Sequence, residues 1–399
     1  MKKYNKLDKQ ISKLPNKVLW CKKCVISNQR PRIIFDDNGV CSACNNLEYK
    51  KTIDWLKRKK EFEKLLDKHR GNGKEWDVVV PSSGGKDSGY VAHKLKYDYG
   101  MNPLLVTWSP LKYTDIGIKN FNSLNDSGFV NIKCSPNGVI HKKLARLCFE
   151  ELGDAFHTFV LGQMYFPVHI ANKFKIKLIF YGENGEVEYA GDPKSVDKPF
   201  IDFLDDKKWV SGYLKGVTID ELIKFGIKNK NYLSEKDLFE ADLNFYKPPS
   251  INELKKNNIS KIYYYNYYHP WNPQENYYYC TENTGFQANL ERTQGTYSKY
   301  SSIDDKMDGM HYYMRFIKFG LGRCMEDAAH EIRDGHITRN EGISLMKKFE
   351  GEFPDKFFLD FLEYLDINEK EFWKVVDSWR LSHIWKKEKS KWKLKNPIK

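Results

Sequence analysis

Two kinds of hydrophobic pattern alternate along the first half of the chain. Short runs of mostly apolar residues at 76–80, 103–108, 129–134 and 178–181 predict buried strands. Longer stretches with apolar residues near helical spacing lie between them and predict helices, among them 139–152 and 155–174. This regular alternation of strand and helix predicts an α/β fold with a parallel sheet.

The regions on either side of this alternating segment have a different character. Apolar residues over 47–69 fall near one helical face among many charges, and Gly71, Asn72 and Gly73 end that stretch. Beyond 250 the chain is rich in aromatic residues and then mostly helical in pattern. We therefore predict three parts: 1–73, a cysteine-containing segment with a linker helix; 74–250, the α/β core; and 251–399, a substrate or partner region.

Composition and charge narrow the class of protein. The 399 residues are 41% hydrophobic and 30% charged, which excludes wholesale disorder and a disulfide-dense miniprotein. Lys and Arg total 66 against 53 Asp and Glu, a net charge of +13 that is compatible either with an anionic partner or with a lysine-rich solvated surface. The basic N-terminus lacks the apolar run of a signal peptide, and polar residues and Pro167 interrupt the longest uncharged stretch. We expect a soluble, cytoplasmic protein.

Four of the eight cysteines stand at the spacing of a metal site. Cys21 and Cys24 form one C-x2-C pair, and Cys41 and Cys44 form a second pair sixteen residues later. Each pair can fold as a tight knuckle around one tetrahedral ion, so we predict a structural Zn²⁺ with no open coordination position. Two disulfides or an iron-sulfur cluster are the alternatives.

A glycine-rich loop follows the strand predicted at 76–80. It consists of Ser82 followed by the hexapeptide SGGKDS, and a helical stretch begins within it. Glycines let the backbone approach a ligand, and the helix N-terminus adds free N–H groups and positive potential, which suits phosphate. The spacing is not that of the Walker A loop. The predicted phosphate-binding residues are Ser83, Gly84, Gly85, Lys86, Asp87 and Ser88.

This hexapeptide resembles the SGGxDS pyrophosphate loop of the ATP pyrophosphatases, which cleave ATP between the α and β phosphates. The resemblance implies that the loop holds the leaving pyrophosphate, with Lys86 and Asp87 in catalytic roles and Asp87 beside Mg²⁺. Because ligands of open α/β sheets lie beyond the carboxyl ends of the strands, Thr107, Trp108 and Gly182 are expected on the same rim. Glu183 and Glu186 follow Gly182 and could bind ribose, magnesium or a substrate amine, or be ordinary loop acids.

The C-terminal part carries the densest polar constellations. The segment ERTQGTY suits an anionic substrate, the acids of SIDDKMDG suit magnesium or an amine, and Lys318 and Arg323 are candidate phosphate contacts. Each of these could also be an ordinary surface residue. The predicted substrate residues are Glu186, Arg292, Thr293, Gly295, Thr296, Tyr297 and Asp305, and Lys318 and Arg323 join Lys86, Asp87 and Glu183 as predicted catalytic residues.

Several separated motifs together resemble one family, the N-acetyl sugar amidotransferases of bacterial surface-glycan biosynthesis. These motifs are GVCSAC, PSSGGKDS, YGENGE, ERTQGTYSKY with SIDDKMDG, and KFGLGRCMEDAAHEIRDGHITR, in that order. The resemblance implies an ATP pyrophosphatase fold. It also implies conversion of an acetamido into an acetamidino group with ATP, Mg²⁺ and ammonia, for lipopolysaccharide, O-antigen or flagellar glycan.

The sequence contains no recognisable glutaminase motif that could supply ammonia, and two alternative functions remain open. Lys2 follows Met1 where an N-terminal-nucleophile glutaminase needs Cys, and no H-x-E pair of a class I glutaminase occurs. The resemblance therefore implies a separate glutaminase and a cyclase-like subunit. One rival is a tRNA-modifying ATP pyrophosphatase of the thiolase kind. The other is a non-enzymatic nucleic-acid binder with a zinc ribbon and a basic tail at 386–399, and the intact SGGKDS loop argues against it. We expect neither a nucleic-acid nor a membrane partner.

Overall fold

The computed structural model describes residues 4–203, 215–229 and 232–399. Its centre is a six-stranded sheet in the order β3-β2-β1-β4-β6-β5, in which all neighbours are parallel except the edge pair β5 and β6. A separate antiparallel hairpin, β7 and β8, lies near the C-terminus. The strands are β1 Val78–Pro81, β2 Pro103–Trp108, β3 Val130–Cys134, β4 Leu178–Tyr181, β5 Phe200–Asp202, β6 Lys261–Tyr264, β7 Trp385–Glu388 and β8 Lys391–Leu394.

Helices cover both faces of the sheet and build most of the C-terminal part. Those of the first half are α1 Ser42–Lys50, α2 Trp55–Asp67, α3 Lys86–His93, α4 Asp115–Asp126, α5 Gly138–Leu152, α6 His157–Phe174 and α7 Gly185–Glu188. Those of the second half are α8 Ile219–Lys228, α9 Glu240–Leu243, α10 Ile251–Lys256, α11 Tyr265–Tyr268, α12 Pro273–Asn283, α13 Asp308–Phe319, α14 Arg323–Asp334, α15 Arg339–Phe349, α16 Phe358–Leu365 and α17 Glu369–Ser378.

Strands β1, β2 and β4 are buried on both sides, as a parallel sheet requires. Strand β3, also predicted to be buried, lies at the edge of the sheet and exposes Val130. Because side chains alternate along a strand, Val79 packs into the larger core with α5 and α6, whereas Val78 and Val80 pack on the opposite face with Phe62 of α2. In register, Val79 lies between Leu104 of β2 and Ile179 of β4. The predicted mostly parallel α/β architecture is therefore confirmed.

Two contacts cross the boundaries predicted from the sequence. Strand β6 pairs with β4, so the sheet extends past 250. The cysteine segment packs against α14 and α15, in one core with Met325, Ala328 and Ile343. The single helical stretch predicted over 47–69 is two helices, α1 and α2. Among the described residues, no helix combines the length and apolar character needed to cross a bilayer.

The strand order places a crevice beside the glycine loop. From β1 the chain adds β2 and β3 on one side and β4 on the other, so the connections diverge between β1 and β4. At such a switch point the loops that follow the two strands separate and leave a crevice at their carboxyl ends. The loops concerned are those that begin at Ser82 and Gly182.

Candidate functional site

The glycine loop connects β1 to α3 and requires glycine at one position in particular. Gly84 has φ +94°, and a Cβ there would lie 2.6 Å from the Cα of Phe121. Only glycine meets both conditions, because other residues disfavour this backbone conformation and any side chain would clash. Among the described residues, no side chain caps the first turn of α3. Its N–H groups therefore remain available to an anion.

Side-chain hydrogen bonds hold this loop from behind. The Ser82 and Ser88 hydroxyls lie 2.9 Å apart, and the Gly84 N–H donates to Ser82 Oγ at 3.3 Å. Thr107 of β2 is buried, and its hydroxyl donates to the Ser82 carbonyl and to Asn131 Oδ1. Thr107, predicted to contact the nucleotide, thus supports the loop from the neighbouring strand.

Lys86 and Asp87 form an ion pair at the start of α3. The Lys86 ammonium lies 2.5 Å from Asp87 Oδ2, and Asn276 of α12 donates to Asp87 Oδ1 at 3.0 Å. The buried thiol of Cys280, also on α12, donates to the Lys86 carbonyl at 3.0 Å. The aromatic-rich helix α12 therefore packs along α3 and holds the Asp87 side chain and the Lys86 backbone.

The first chamber, with a volume of about 270 Å³, lies in the crevice between β1 and β4. Four of the predicted loop residues line it, together with Trp108, Gly182 and Glu183. Gln163 and Pro167 of α6, which carried no sequence signal, close the opposite wall. The lining consists of Pro81, Ser82, Ser83, Gly85, Asp87, Ser88, Val106, Trp108, Gln163, Pro167, Tyr181, Gly182 and Glu183.

The second chamber, about 250 Å³ in volume, lies on the other side of the same loop. Its wall combines the cations Lys86 and Arg323 with three carboxylates, Asp87, Asp304 and Asp308. The remaining lining residues are Ser83, Gly84, Gly85, Gly117, Asn120, Tyr189, Phe286, Tyr300, Ser301, Ser302 and Ile303. The glycine loop is thus the common wall of two chambers.

Three carboxylates line the second chamber, but their oxygen atoms do not converge: among the described residues, only the four cysteines lie close enough together to form a metal cluster. Burial, and then the nearby charge of Asp308, raise the pKa of Asp304 to about 6. The sequence selected Asp305 from SIDDKMDG. Its carboxylate instead accepts the backbone N–H groups of Leu111 and Met307, whereas Asp304 and Asp308 line the chamber.

Glu183 is a titratable carboxyl on the first chamber. Burial, and then the charge of Asp87, raise its pKa to about 7, and the hydroxyl of Tyr189 donates to its Oε1 at 3.1 Å. Tyr189 faces the second chamber, so the pair connects the two. Tyr189 lies three residues beyond YGENGE, and its type alone gave no reason to select it.

Arg323 reaches the second chamber from the first residue of α14 and is held in place. Its guanidinium donates to Asp327 Oδ1 at 3.0 Å and to the Tyr312 hydroxyl at 2.6 Å. The hydroxyl of Thr296 donates to the other oxygen of Asp327 at 2.6 Å. Thr296, predicted to bind substrate, therefore orients Arg323 through Asp327.

An outer cleft of about 780 Å³ adjoins the second chamber and shares Ser302 and Ile303 with it. Arg292 and Thr293 line this cleft, and both Arg292 nitrogens pair with Glu352 at 2.6 and 2.7 Å. The Gly295 N–H donates to the same carboxylate at 2.8 Å. Arg292, Gly295 and Glu352 therefore form a rigid side of the cleft.

Besides Thr107, Gly295 and Thr296, three predicted site residues line neither the two chambers nor the cleft. Lys318 is buried against Asp8 Oδ2 and the Leu152 carbonyl, both at 2.6 Å. Glu186 pairs with Arg32 at 2.5 Å, and Tyr297 packs against the core of the cysteine segment. Their contacts indicate structural roles, so we do not include these three residues in the site.

The four cysteines of the metal motif converge. All eight cysteines of the chain are free thiols, and the sulfur atoms of Cys21, Cys24, Cys41 and Cys44 lie within 4.8 Å of one another. The Cys21–Cys44 and Cys24–Cys41 sulfurs are 3.9 and 3.7 Å apart. A zinc tetrathiolate with bonds of about 2.3 Å requires sulfurs about 3.8 Å apart, so this buried cluster is compatible with a structural zinc.

Together these features define a class: a mostly parallel α/β protein with a glycine loop between two chambers and a four-cysteine cluster. Residues 294–399, about a quarter of the chain, match the family model described as LPS biosynthesis protein WbpG-like, C-terminal domain. The match supports a relationship to a bacterial lipopolysaccharide-biosynthesis family, and it includes Arg323, Asp304 and Asp308. The search of curated proteins found no match.

Proposed function

We propose that this protein is an ATP-dependent amidotransferase that converts an acetamido group of an N-acetylated sugar into an acetamidino group, forming AMP and pyrophosphate, during bacterial surface-glycan biosynthesis. One observation carries the proposal: the glycine loop is the common wall of two chambers. Such an arrangement lets ATP approach from one side and a second substrate from the other. The lipopolysaccharide description of the matching family supports a sugar as that second substrate.

In this proposal the first chamber takes the adenosine side of ATP, with the indole of Trp108 in its lining. The free N–H groups at the start of α3 and the ammonium of Lys86 hold the phosphates that leave as pyrophosphate. Mg²⁺, when bound, would neutralise phosphate charge, with the phosphates and one carboxylate of the loop, that of Asp87, as its ligands.

The second chamber takes the acetamido group, and the outer cleft takes the rest of the acceptor. The amide oxygen attacks the α phosphorus of ATP, the bond from that phosphorus to the bridging oxygen breaks, and pyrophosphate leaves. This adenylation turns a poor leaving group into a good one. Arg323 is placed to stabilise negative charge during the transfer.

Ammonia completes the reaction. Its nitrogen adds to the carbon of the adenylated imidate, a proton passes from that nitrogen to a base, and AMP departs with the former amide oxygen. The geometry favours Glu183 as this base, with the proton passing to it through the Tyr189 hydroxyl. The resemblance to sugar amidotransferases suggests that a separate glutaminase and a cyclase-like subunit deliver the ammonia.

The decisive experiment follows the acetamido oxygen. The purified protein is incubated with ATP, Mg²⁺, ammonium chloride and a panel of diacetamido sugars labelled with ¹⁸O in the acetamido groups. We expect sugar-dependent pyrophosphate release, transfer of ¹⁸O to AMP, and a product in which NH has replaced O. Lys86→Ala and Asp87→Ala should abolish all three signals, while Lys60→Ala, on the exposed face of α2, should not.

Other outcomes would contradict the proposal. Stimulation by bulk tRNA without stimulation by any sugar would favour the tRNA-modifying rival. Unlabelled AMP would indicate that water cleaves ATP without adenylation of the amide. Product formation with glutamine alone would contradict the requirement for a separate glutaminase.

A further inference from the structure

Glu188 lies at the centre of a polar network between the cysteine cluster and the rim of the first chamber. It is 6% exposed and ends the short helix α7, which follows Glu183. Its carboxylate Oε1 accepts from the Lys50 ammonium and from Asn266 Nδ2, both at 2.6 Å. Its backbone carbonyl accepts from Arg333 Nη2 at 2.9 Å. One residue thus contacts three separate parts of the chain.

Two of these contacts lead to the cysteine cluster. Lys50 is the last residue of α1, the helix that begins at Ser42 and contains Cys44. Arg333 of α14 is half-buried; desolvation alone would lower its pKa, but the nearby charges of Cys24, Cys44 and Cys41 keep it raised. A zinc tetrathiolate carries a net charge of about −2, which a neighbouring guanidinium compensates. Arg339 adds a second connection, since it donates to the backbone carbonyls of Cys24 and Cys21.

The third contact leads to the nucleotide rim. Asn266, whose side-chain amide donates to Glu188, also donates its backbone N–H to the Gly182 carbonyl at 2.9 Å. Its side-chain oxygen accepts the N–H of Asn184 at 3.1 Å. Asn266 therefore forms hydrogen bonds with the residues on both sides of Glu183, whose carboxyl lines the first chamber.

We propose that Glu188 is a positioning residue that couples metal binding by the cysteine cluster to nucleotide binding in the first chamber. Zinc orders α1 and Arg333, these hold Glu188, and Glu188 holds Asn266 and the Gly182–Asn184 backbone in the conformation that receives ATP. The inference rests on the ATP site of the proposed function and is independent of the sugar chemistry. Because linkage is reciprocal, ATP must also strengthen zinc binding by the same factor.

The test measures two affinities in the full-length protein. ATP binding in the presence of Mg²⁺ is measured by calorimetry for zinc-loaded protein and for protein depleted with a chelator, and zinc affinity is measured by chelator competition with and without ATP. We expect zinc removal to weaken ATP binding about 10-fold, within the usual range for coupled sites, and ATP to tighten zinc binding equally.

Variants separate coupling from general stability. Glu188→Ala should retain zinc but bind ATP about 10-fold more weakly, with little remaining dependence on zinc, because the coupling free energy is lost. Glu188→Gln, which can still accept from Asn266, should recover part of the ATP affinity. Glu48→Ala, on the exposed side of α1, is the matched control and should behave as the natural protein. Circular dichroism and zinc content check that each variant is folded and loaded.

Two results would overturn the inference, and a third would remove the ATP site on which it rests. ATP affinity that is unchanged in zinc-loaded Glu188→Ala excludes the positioning role. Equal ATP affinity with and without zinc in folded natural protein excludes the coupling. If zinc depletion unfolds the protein, the test is the ATP affinity of the zinc-loaded Glu188 variants alone. Failure of zinc-loaded natural protein to bind ATP at all would remove the proposed ATP site itself, whereas ATP binding without any sugar reaction would leave this inference standing.

Discussion

The hydroxyl of Tyr189 donates a hydrogen bond to Oε1 of Glu183 at 3.1 Å, and this bond crosses the wall between the two chambers. Tyr189 lines the second chamber and Glu183 lines the first. Burial and the charge of Asp87 raise the pKa of Glu183 to about 7, whereas the bond from Tyr189 opposes that rise. Glu183 is therefore a carboxyl that exchanges its proton near neutral pH.

This pair predicts the pH dependence of turnover. A base must be deprotonated to accept a proton, so kcat should rise with pH through about 7 and then level. Tyr189→Phe removes the hydroxyl through which the proton reaches Glu183 and also a hydrogen bond that favours the carboxylate. We therefore expect kcat to fall and its remaining rise to move to higher pH. The measurement is kcat for amidine formation with saturating ammonia in buffers on both sides of neutrality.

Replacing the carboxyl itself should remove that rise. In Glu183→Gln we expect kcat to fall about 100-fold and to lose its rising limb, since general bases contribute at least that much. Glu275→Gln, an exposed carboxylate on α12, serves as the control. Should the limb survive in Glu183→Gln, another group must be the base.

The buried ion pair of Lys318 and Asp8 predicts a loss of stability without a direct effect on chemistry. Lys318→Met leaves the Asp8 carboxylate buried without its partner at 2.6 Å, which should lower the free energy of unfolding by about 3–5 kcal/mol. Urea unfolding measures this change. Adding Asp8→Asn should recover part of the loss. A variant of normal stability that releases no pyrophosphate would instead return Lys318 to a catalytic role.

Thr296 predicts an indirect effect on catalysis. Thr296→Val removes the hydroxyl that supports Asp327 and hence the orientation of Arg323. One such hydrogen bond is worth about 1 kcal/mol, so kcat/KM for the acceptor should fall about 5-fold. Thr281→Val, which removes an exposed hydroxyl on α12, is the comparison. Equal values of kcat/KM in the two variants would show that the hydrogen bond from Thr296 to Asp327 does not affect the reaction.

Gly84 predicts a strict requirement for glycine in the glycine loop. Gly84→Ala places a Cβ within 2.6 Å of the Phe121 Cα at a backbone φ of +94°, so the loop must distort. We expect ATP binding to be lost and stability to fall by at least about 1–3 kcal/mol. Gly138→Ala, at the start of α5 where a Cβ meets open space, is the matched control. Calorimetry with ATP and thermal unfolding measure the two effects.

The local features of this protein were predictable from its sequence. The strands at 103–108 and 178–181 have the predicted bounds, because these apolar runs have the length of a strand and are too short for a buried helix. The glycine loop and the paired cysteines depend on neighbouring residues alone, so their spacing indicated both sites. Strand β6 was missed because KIYY lies in an aromatic segment without a distinct period.

The chemical environment of each polar side chain was decided by the tertiary structure. Thr107 and Thr296 have hydroxyls that could contact a ligand, yet each donates to another residue of the protein: Thr107 to Ser82 and Thr296 to Asp327. Lys318 meets a partner 310 residues earlier in the chain, a distance over which no periodic pattern carries information. Sequence spacing thus determined the loop and the cysteine pairs, because these follow from local backbone geometry. The alternation of strands and helices determined the parallel sheet, because parallel strands require crossover connections. Only the packing of distant segments decided which charges face the chambers and which are buried in ion pairs.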